Sequence, residues 1–231
     1  MKITHNYVMV TIVSSVGRFL ITMLLISCVD RTSHSQEIPQ ESSVKVEEEI
    51  DCGVTKLPQV LPGSVVMLVG DSLAVGMQER FKSLARANGY IPVVHTINGT
   101  SIFQWNGWIK KDLEIHDPDL VIVSLGTNDA VIYDKVKHNP DVYRKFVETV
   151  ASAGASTVWI GPPDILRDRI PKIGETRKVI RESVPVFFES ERYEKPRGGD
   201  GVHSSENGYR KWMENVWSWM ISKNIVADIP Q

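Results

Sequence analysis

Cysteine is scarce in this chain: two residues, Cys28 and Cys52, among 231. Two are too few for a disulfide scaffold, and neither sits in the clustered Cys/His spacing of a structural zinc site. A surplus of charge of one sign is lacking too. Lysine and arginine total 26 against 28 aspartates and glutamates, a formal net charge of −2. There is thus no net positive field to hold nucleic acid. No metal-ligating cluster or phosphate-binding loop stands out, so no cofactor is expected. With 42% hydrophobic and 23% charged residues, the composition excludes disorder, collagen and coiled coil as descriptions of the whole chain, and one globular domain is expected.

What is present begins at the N-terminus. Lys2 and Arg18 precede the apolar run Phe19-Leu20-Ile21-Thr22-Met23-Leu24-Leu25-Ile26-Ser27, which ends at Cys28. A positive start, a short apolar stretch and a small residue before a cut describe a secretion signal over 1–28. Leu25-Ile26-Ser27-Cys28 resembles the lipobox of bacterial lipoproteins. That resemblance implies lipid on Cys28 and a protein exported to the cell envelope and tethered to its membrane. Two other devices fit the same segment, a single transmembrane anchor over 7–29 and a signal cleaved without lipid. Arg18 weighs against the anchor, because a charge near mid-span costs roughly 2.5–3.5 kcal/mol. With lipid on Cys28, Cys52 has no partner; without it, a Cys28–Cys52 bridge is open in an oxidising compartment. Residues 29–63 are rich in Ser, Gln, Glu and Pro, carry Glu47-Glu48-Glu49, and show no periodicity that buries a face. They read as a flexible tether ahead of a domain over 64–231.

Within that domain the pattern is regular. Continuous apolar runs at 64–70, 91–97, 120–125 and 156–160 read as strands buried on both faces, and 184–188 as a short fifth. Helical patterns fill 76–88, 105–113, 140–152, 176–182 and 205–222. Strands alternating with helices imply a mainly parallel sheet covered on both faces, because parallel strands need crossover connections. Ligands in such folds sit beyond the carboxyl ends of the strands. Gly70-Asp71-Ser72, Asn98-Gly99-Thr100, Gly126-Thr127-Asn128-Asp129 and Gly161-Pro162-Pro163-Asp164 all follow strand ends, so four polar, glycine-bearing loops converge on one rim.

Ser72 falls at a strand-to-helix turn, where helix N–H groups favour developing negative charge. A hydroxyl is a weak nucleophile and needs a positioned base. Of six histidines, His203 stands apart, because Asp200-Gly201-Val202-His203 places a carboxylate three residues before an imidazole in a Gly-rich loop. Asp200 at that spacing can accept the Nδ1–H of His203 and leave Nε2 for Ser72. Gly99 offers a backbone N–H open to close approach, Asn128 a side-chain amide, and Ser72 its own N–H, three donors for one oxyanion. Singly, each has a plainer reading: Ser72 or Asn128 as a helix cap, Asp200-Gly201 as a turn. Caps and turns do not explain why all fall at the same end of one sheet.

These residues resemble the four blocks of the SGNH (GDSL) hydrolase family: Gly70-Asp71-Ser72-Leu73, Gly99 in Asn98-Gly99-Thr100-Ser101, Gly126-Thr127-Asn128-Asp129, and Asp200-Gly201-Val202-His203. The resemblance covers about 65–221. It implies an α/β fold, a three-layer α/β/α sandwich with a mainly parallel, flavodoxin-like five-stranded sheet. Esterases, lipases, thioesterases, carbohydrate deacetylases and some acyltransferases belong to the family. By that resemblance Ser72 is the nucleophile, His203 the base, Asp200 its orienter, and Ser72, Gly99 and Asn128 the oxyanion hole. Ala74-Val75-Gly76 stands where many members carry a polar residue, a departure that bears on substrate preference.

Trp105 and Trp108 follow Gly99 closely and are candidate platforms for a sugar ring or an acyl group; covering the sheet from a helix is the other reading. Trp212, Val216 and Trp219, at i, i+4, i+7, read as core. Arg167, Arg169, Lys172, Arg177 and Lys178 read as a solvated basic loop, with the binding of an anionic substrate as the other reading. Asn98-Gly99-Thr100 matches a glycosylation acceptor, which a bacterial-type signal makes irrelevant. The expected partner is an ester substrate, most directly a short acyl, such as O-acetyl, ester on an envelope carbohydrate or a small ester. Acyl transfer to a glycan hydroxyl and a catalytically silent binding module are the alternatives.

Overall fold

Strand β1, Val65–Gly70, is buried from its second residue onward, and its alternate side chains feed two separate cores. Val66 and Leu68 join one, Met67 and Val69 the other. Strand β3, Leu120–Ser124, divides in the same way, with Leu120 and Ile122 against Val121 and Val123. This two-sided burial is why these strands read as unbroken apolar runs.

The computed structural model describes residues 59–131, 139–165, 173–190 and 199–228. The chain divides into units 1–50 and 51–231, and all described residues belong to the second. The export segment with Cys28, nearly all of the tether, Cys52, Arg167, Arg169 and Lys172 lie outside them. Among the described residues no helix is long and apolar enough to cross a membrane.

The remaining strands are β2 (Ile91–Thr96), β4 (Ser156–Ile160) and β5 (Phe187–Phe188), and the sheet is parallel in the order β2-β1-β3-β4-β5. Helices α1 (Ser72–Ala87) and α6 (Glu206–Ser222) cover one face through Phe81, Trp212, Val216 and Trp217. Helices α2 (Ile102–His116), α4 (Pro140–Ser152) and α5 (Ile173–Arg181) cover the other through Trp105, Ile109, Phe146 and Ile180. A short α3, Thr127–Val131, follows β3. The expected three-layer sandwich and five-stranded sheet are therefore present. From β1 the chain winds to β2 on one side, whereas β3 lies on the other, and this reversal opens a crevice between the carboxyl ends of β1 and β3.

Several boundaries differ from expectation. Helix α1 begins at Ser72, not at 76, because Asp71 caps it by accepting the N–H of Leu73 at 2.9 Å, and a capping aspartate starts a helix ahead of its apolar stripe. Helix α2 begins at Ile102, not at 105, behind a capping box of Ser101 and Gln104. The five residues of α3 are too few to show a period. Only Phe187 and Phe188 of the expected 184–188 strand are paired, and Pro185 just ahead has no N–H to offer a ladder. The domain also starts before 64: buried Val60 bridges to Val226, and its carbonyl accepts the Tyr90 hydroxyl at 2.9 Å.

Candidate active site

At the end of β1 a Cβ on Gly70 would lie 2.3 Å from the carbonyl oxygen of Ser124 and 2.8 Å from Ala74 Cβ. Only glycine lets the chain turn into α1 this close to β3. Ser72 follows as the first residue of α1, so its N–H has no intrahelical acceptor and stays available.

The loop before α6 delivers the partners of Ser72. Asp200 Oδ1 accepts the backbone N–H groups of Val202 and His203, both at 2.9 Å, which folds the loop around the carboxylate. Its Oδ2 lies 2.5 Å from His203 Nδ1, and His203 Nε2 lies 2.9 Å from Ser72 Oγ, across 131 positions of sequence. The hydrogen bond from the His203 ring, helped by the two backbone N–H groups, holds the Asp200 carboxyl well below the usual carboxylate range. An ionised Asp200 fixes the proton on Nδ1 and leaves Nε2 as the acceptor for the Ser72 hydroxyl.

Across the crevice stands the turn after β2. Gly99 has φ +73°, with open space where a Cβ would project. A set of buried bonds holds this turn from below: Trp105 Nε1–H donates to Thr100 Oγ1 at 2.9 Å, Thr100 Oγ1 to the Ile97 carbonyl at 2.8 Å, and the Ile102 N–H to Asp129 Oδ1 at 3.1 Å. Asn128 reaches across from α3. Its amide donates to the Thr100 carbonyl at 2.9 Å and to Asp71 Oδ2 at 3.2 Å. The structure thus brings Ser72, His203, Asp200 and Asn128 to one rim, with both amide hydrogens of Asn128 turned to protein acceptors.

Trp105 does not make the expected substrate platform. Trp105 is fully buried, edge-on to His95 and to Trp108, and its indole N–H is spent on Thr100. Trp108 is 38% exposed, but it sits about 10 Å along α2 from the cap at Ser101, at 1.5 Å per residue, and its ring contact is Trp105. Arg177 is not part of a solvated loop either. It is 3% exposed, donates from Nε to the Pro162 carbonyl at 2.8 Å and pairs with Asp164 at 2.6 Å, pinning the loop after β4. Trp212 and Val216 are core as expected.

The sequence gives no supporting role to Asp71, Thr100 or Asp129, and a different one to Arg177. Arg177 shares the buried stripe Ile173, Thr176, Arg177, Ile180 at i, i+3, i+4, i+7, a signal available from spacing. Asp71 and Asp129 carried none beyond their place beside Ser72 and Asn128. Burial pushes the Asp71 carboxyl up to about 7, with the charge of Asp129 adding to the rise. Burial likewise pushes Asp129 up to about 7. Asp129 Oδ2 and the Tyr143 hydroxyl are buried with no hydrogen-bond partner, and burial first, then the nearby Asp129, raises the Tyr143 phenol.

Solved structures share this fold. A lipase/acylhydrolase from Enterococcus faecalis aligns with 69% of this chain and 96% of its own, at 19% identity and a TM-score of 0.59. An acetyl xylan esterase aligns with 68% and 100%, at 20% identity and 0.56. A GDSL-like lipase from Bacteroides thetaiotaomicron aligns with 74% and 94%, at 20% identity and 0.54. No curated protein matches the chain. Residues 65–184, which carry Ser72, Gly99 and Asn128, match the family described as "Protein of unknown function (DUF459)". The chain belongs to that family.

Proposed function

We propose that this protein is a serine ester hydrolase that acylates Ser72 and releases the acyl group to water. One observation carries the reading: a chain of two hydrogen bonds joins Ser72 Oγ to His203 Nε2 at 2.9 Å and His203 Nδ1 to Asp200 Oδ2 at 2.5 Å. Ser72 Oγ attacks the ester carbonyl carbon while its proton passes to His203 Nε2. The N–H groups of Ser72 and Gly99 receive the oxyanion, joined by Asn128. When the tetrahedral adduct collapses, the C–O bond to the alcohol breaks and the alcohol leaves with the proton from Nε2. Water, deprotonated by the same nitrogen, then attacks the acyl-serine, and the acid departs as Ser72 regains its proton. The side chains of His203 and Asp200 are 42% and 43% exposed, an open site that admits this water and favours hydrolysis over transfer.

Short acyl esters on a carbohydrate of the cell envelope are the proposed substrates. Two things support this: the signal-like pattern of charge and apolar residues over 1–28, and the occurrence of an acetyl xylan esterase among proteins of the same fold. Tethering through lipid on Cys28 completes the proposal, and replacing Cys28 by alanine should release the protein from the membrane fraction.

The test is a panel of p-nitrophenyl esters of increasing chain length alongside acetylated and deacetylated glycans. Turnover should be highest on acetyl esters and fall by on the order of 1000-fold or more in Ser72→Ala and in His203→Ala. Unchanged turnover in Ser72→Ala removes the serine mechanism. A preference for long-chain esters removes the substrate.

A further inference from the structure

An oxyanion donor must have a hydrogen to give, and in the free site Asn128 has given both of its own. The Thr100 carbonyl takes one at 2.9 Å; Asp71 Oδ2 takes the other at 3.2 Å. The first bond ties α3 to the turn that bears Gly99, so breaking it would move the turn. The second is the longer and is made to a carboxylate one residue from the nucleophile. Resting on the acyl-enzyme reading of this site, the geometry points to Asp71 as a positioning residue that competes with the oxyanion for the amide of Asn128. Asn128 joins the oxyanion hole by releasing Asp71.

The charge on Asp71 sets how easily that exchange occurs. A carboxylate is the stronger acceptor and retains the amide, whereas a neutral carboxyl yields it. Asp71 is 1% exposed, and its raised titration brings the change of charge into the working range of an esterase. Among the groups around it, Asp129 on α3 bears on its charge, with Tyr143 of α4 behind. From β3 it meets a backbone carbonyl, that of Ser124, which accepts its N–H. His203 and Asp200 face Ser72 next along the chain. The sign follows: turnover declines with rising pH as Asp71 ionises and withholds Asn128.

The experiment is a pH titration of the Asn128 side-chain amide by proton–nitrogen NMR on the full chain, paired with pH profiles of kcat/KM on p-nitrophenyl acetate. In an Asp129→Asn background, which removes the neighbouring carboxyl, the Asn128 resonance should move with one midpoint, with or without His203→Ala, and stay still once Asp71→Asn is added. Asparagine retains the cap on the Leu73 N–H, so the fold is kept. Asp71→Asn should lose the alkaline decline and, at the alkaline end, exceed wild type by about 5-fold or more, because its amide oxygen stays on the Leu73 N–H and its amide nitrogen, itself a donor, leaves Asn128 with no competing carboxylate. Asn128→Ala should lose the same decline at a lower plateau, and the double variant should match Asn128→Ala. A resonance that does not titrate, one that titrates unchanged once Asp71→Asn is added, or losses that multiply in the double variant would overturn the proposal. If Asp71→Asn fails to fold, Asn128→Ala decides alone, and an alkaline decline that survives in it refutes the mechanism. If the chain hydrolyses no ester, the esterase reading falls while the NMR titration still decides the Asp71–Asn128 competition.

Discussion

Trp105 donates its indole N–H to Thr100 Oγ1, and Thr100 passes a hydrogen bond on to the Ile97 carbonyl. A fully buried ring is therefore the post beneath the turn that carries Gly99. Trp105→Phe keeps an aromatic in the core but removes this donor. It should lower kcat by about 3- to 10-fold with KM little changed and cost about 1 kcal/mol of stability. Trp105→Ala adds a cavity and should cost about 3–5 kcal/mol. Steady-state kinetics with thermal unfolding separates the two; a rise confined to KM would restore Trp105 as a substrate platform.

Arg177 holds the loop after β4 through the Pro162 carbonyl. Arg177→Met preserves the buried stem and removes the guanidinium, leaving that carbonyl without its donor at a cost of about 1–3 kcal/mol. Asp164 is largely exposed, and Asp164→Asn should cost less than about 1 kcal/mol. Denaturant unfolding of the two variants should show that asymmetry; equal losses would mean that the ion pair, not the carbonyl bond, is what matters.

Asp200→Asn should leave the loop folded, since an amide oxygen still accepts the N–H groups of Val202 and His203. The amide nitrogen would then face Nδ1 and force the His203 proton onto Nε2, where it cannot accept from Ser72. Turnover should fall by on the order of 1000- to 10,000-fold. Activity within a few-fold of wild type would exclude Asp200 as the orienter.

Asp129 gives stability a pH dependence. Its carboxyl titrates at about 7 in the fold, above the ordinary 3.8, so folding takes up a proton between those values. That contribution is fully present below about 4 and is lost as pH rises through about 7. Asp129→Asn keeps an acceptor for the Ile102 N–H and carries its hydrogens at every pH. Its melting temperature should match wild type near pH 4 and exceed it by several degrees near pH 8. A variant less stable at both pH values, with an unchanged slope between them, would show that the buried carboxylate is otherwise compensated.

The sheet and the rim of candidate residues are legible because each rests on a local signal. Residues 65–70 and 120–124 are unbroken apolar runs, each ending at a glycine-bearing polar loop, and Asp200 stands three residues before His203. The supports beneath the rim are not legible in the sequence: Asn128 reaches Asp71 across 57 positions, and Trp105 reaches Thr100 back over a helix cap that shows no periodicity. Trp105 illustrates the difficulty. An aromatic shortly after a catalytic glycine fits a platform and a post equally well in sequence, and the direction of its indole N–H decides between them. The boundary at α1 was missed for a related reason: the Asp71 cap starts the helix where no apolar period has begun.

The most direct test of the central claim is intact-protein mass spectrometry after exposure to a fluorophosphonate. An activated Ser72 predicts a single adduct, mapped to Ser72 by peptide sequencing, lost in Ser72→Ala and strongly slowed in His203→Ala. No adduct on folded wild-type protein, or an adduct that persists in Ser72→Ala, would contradict the account.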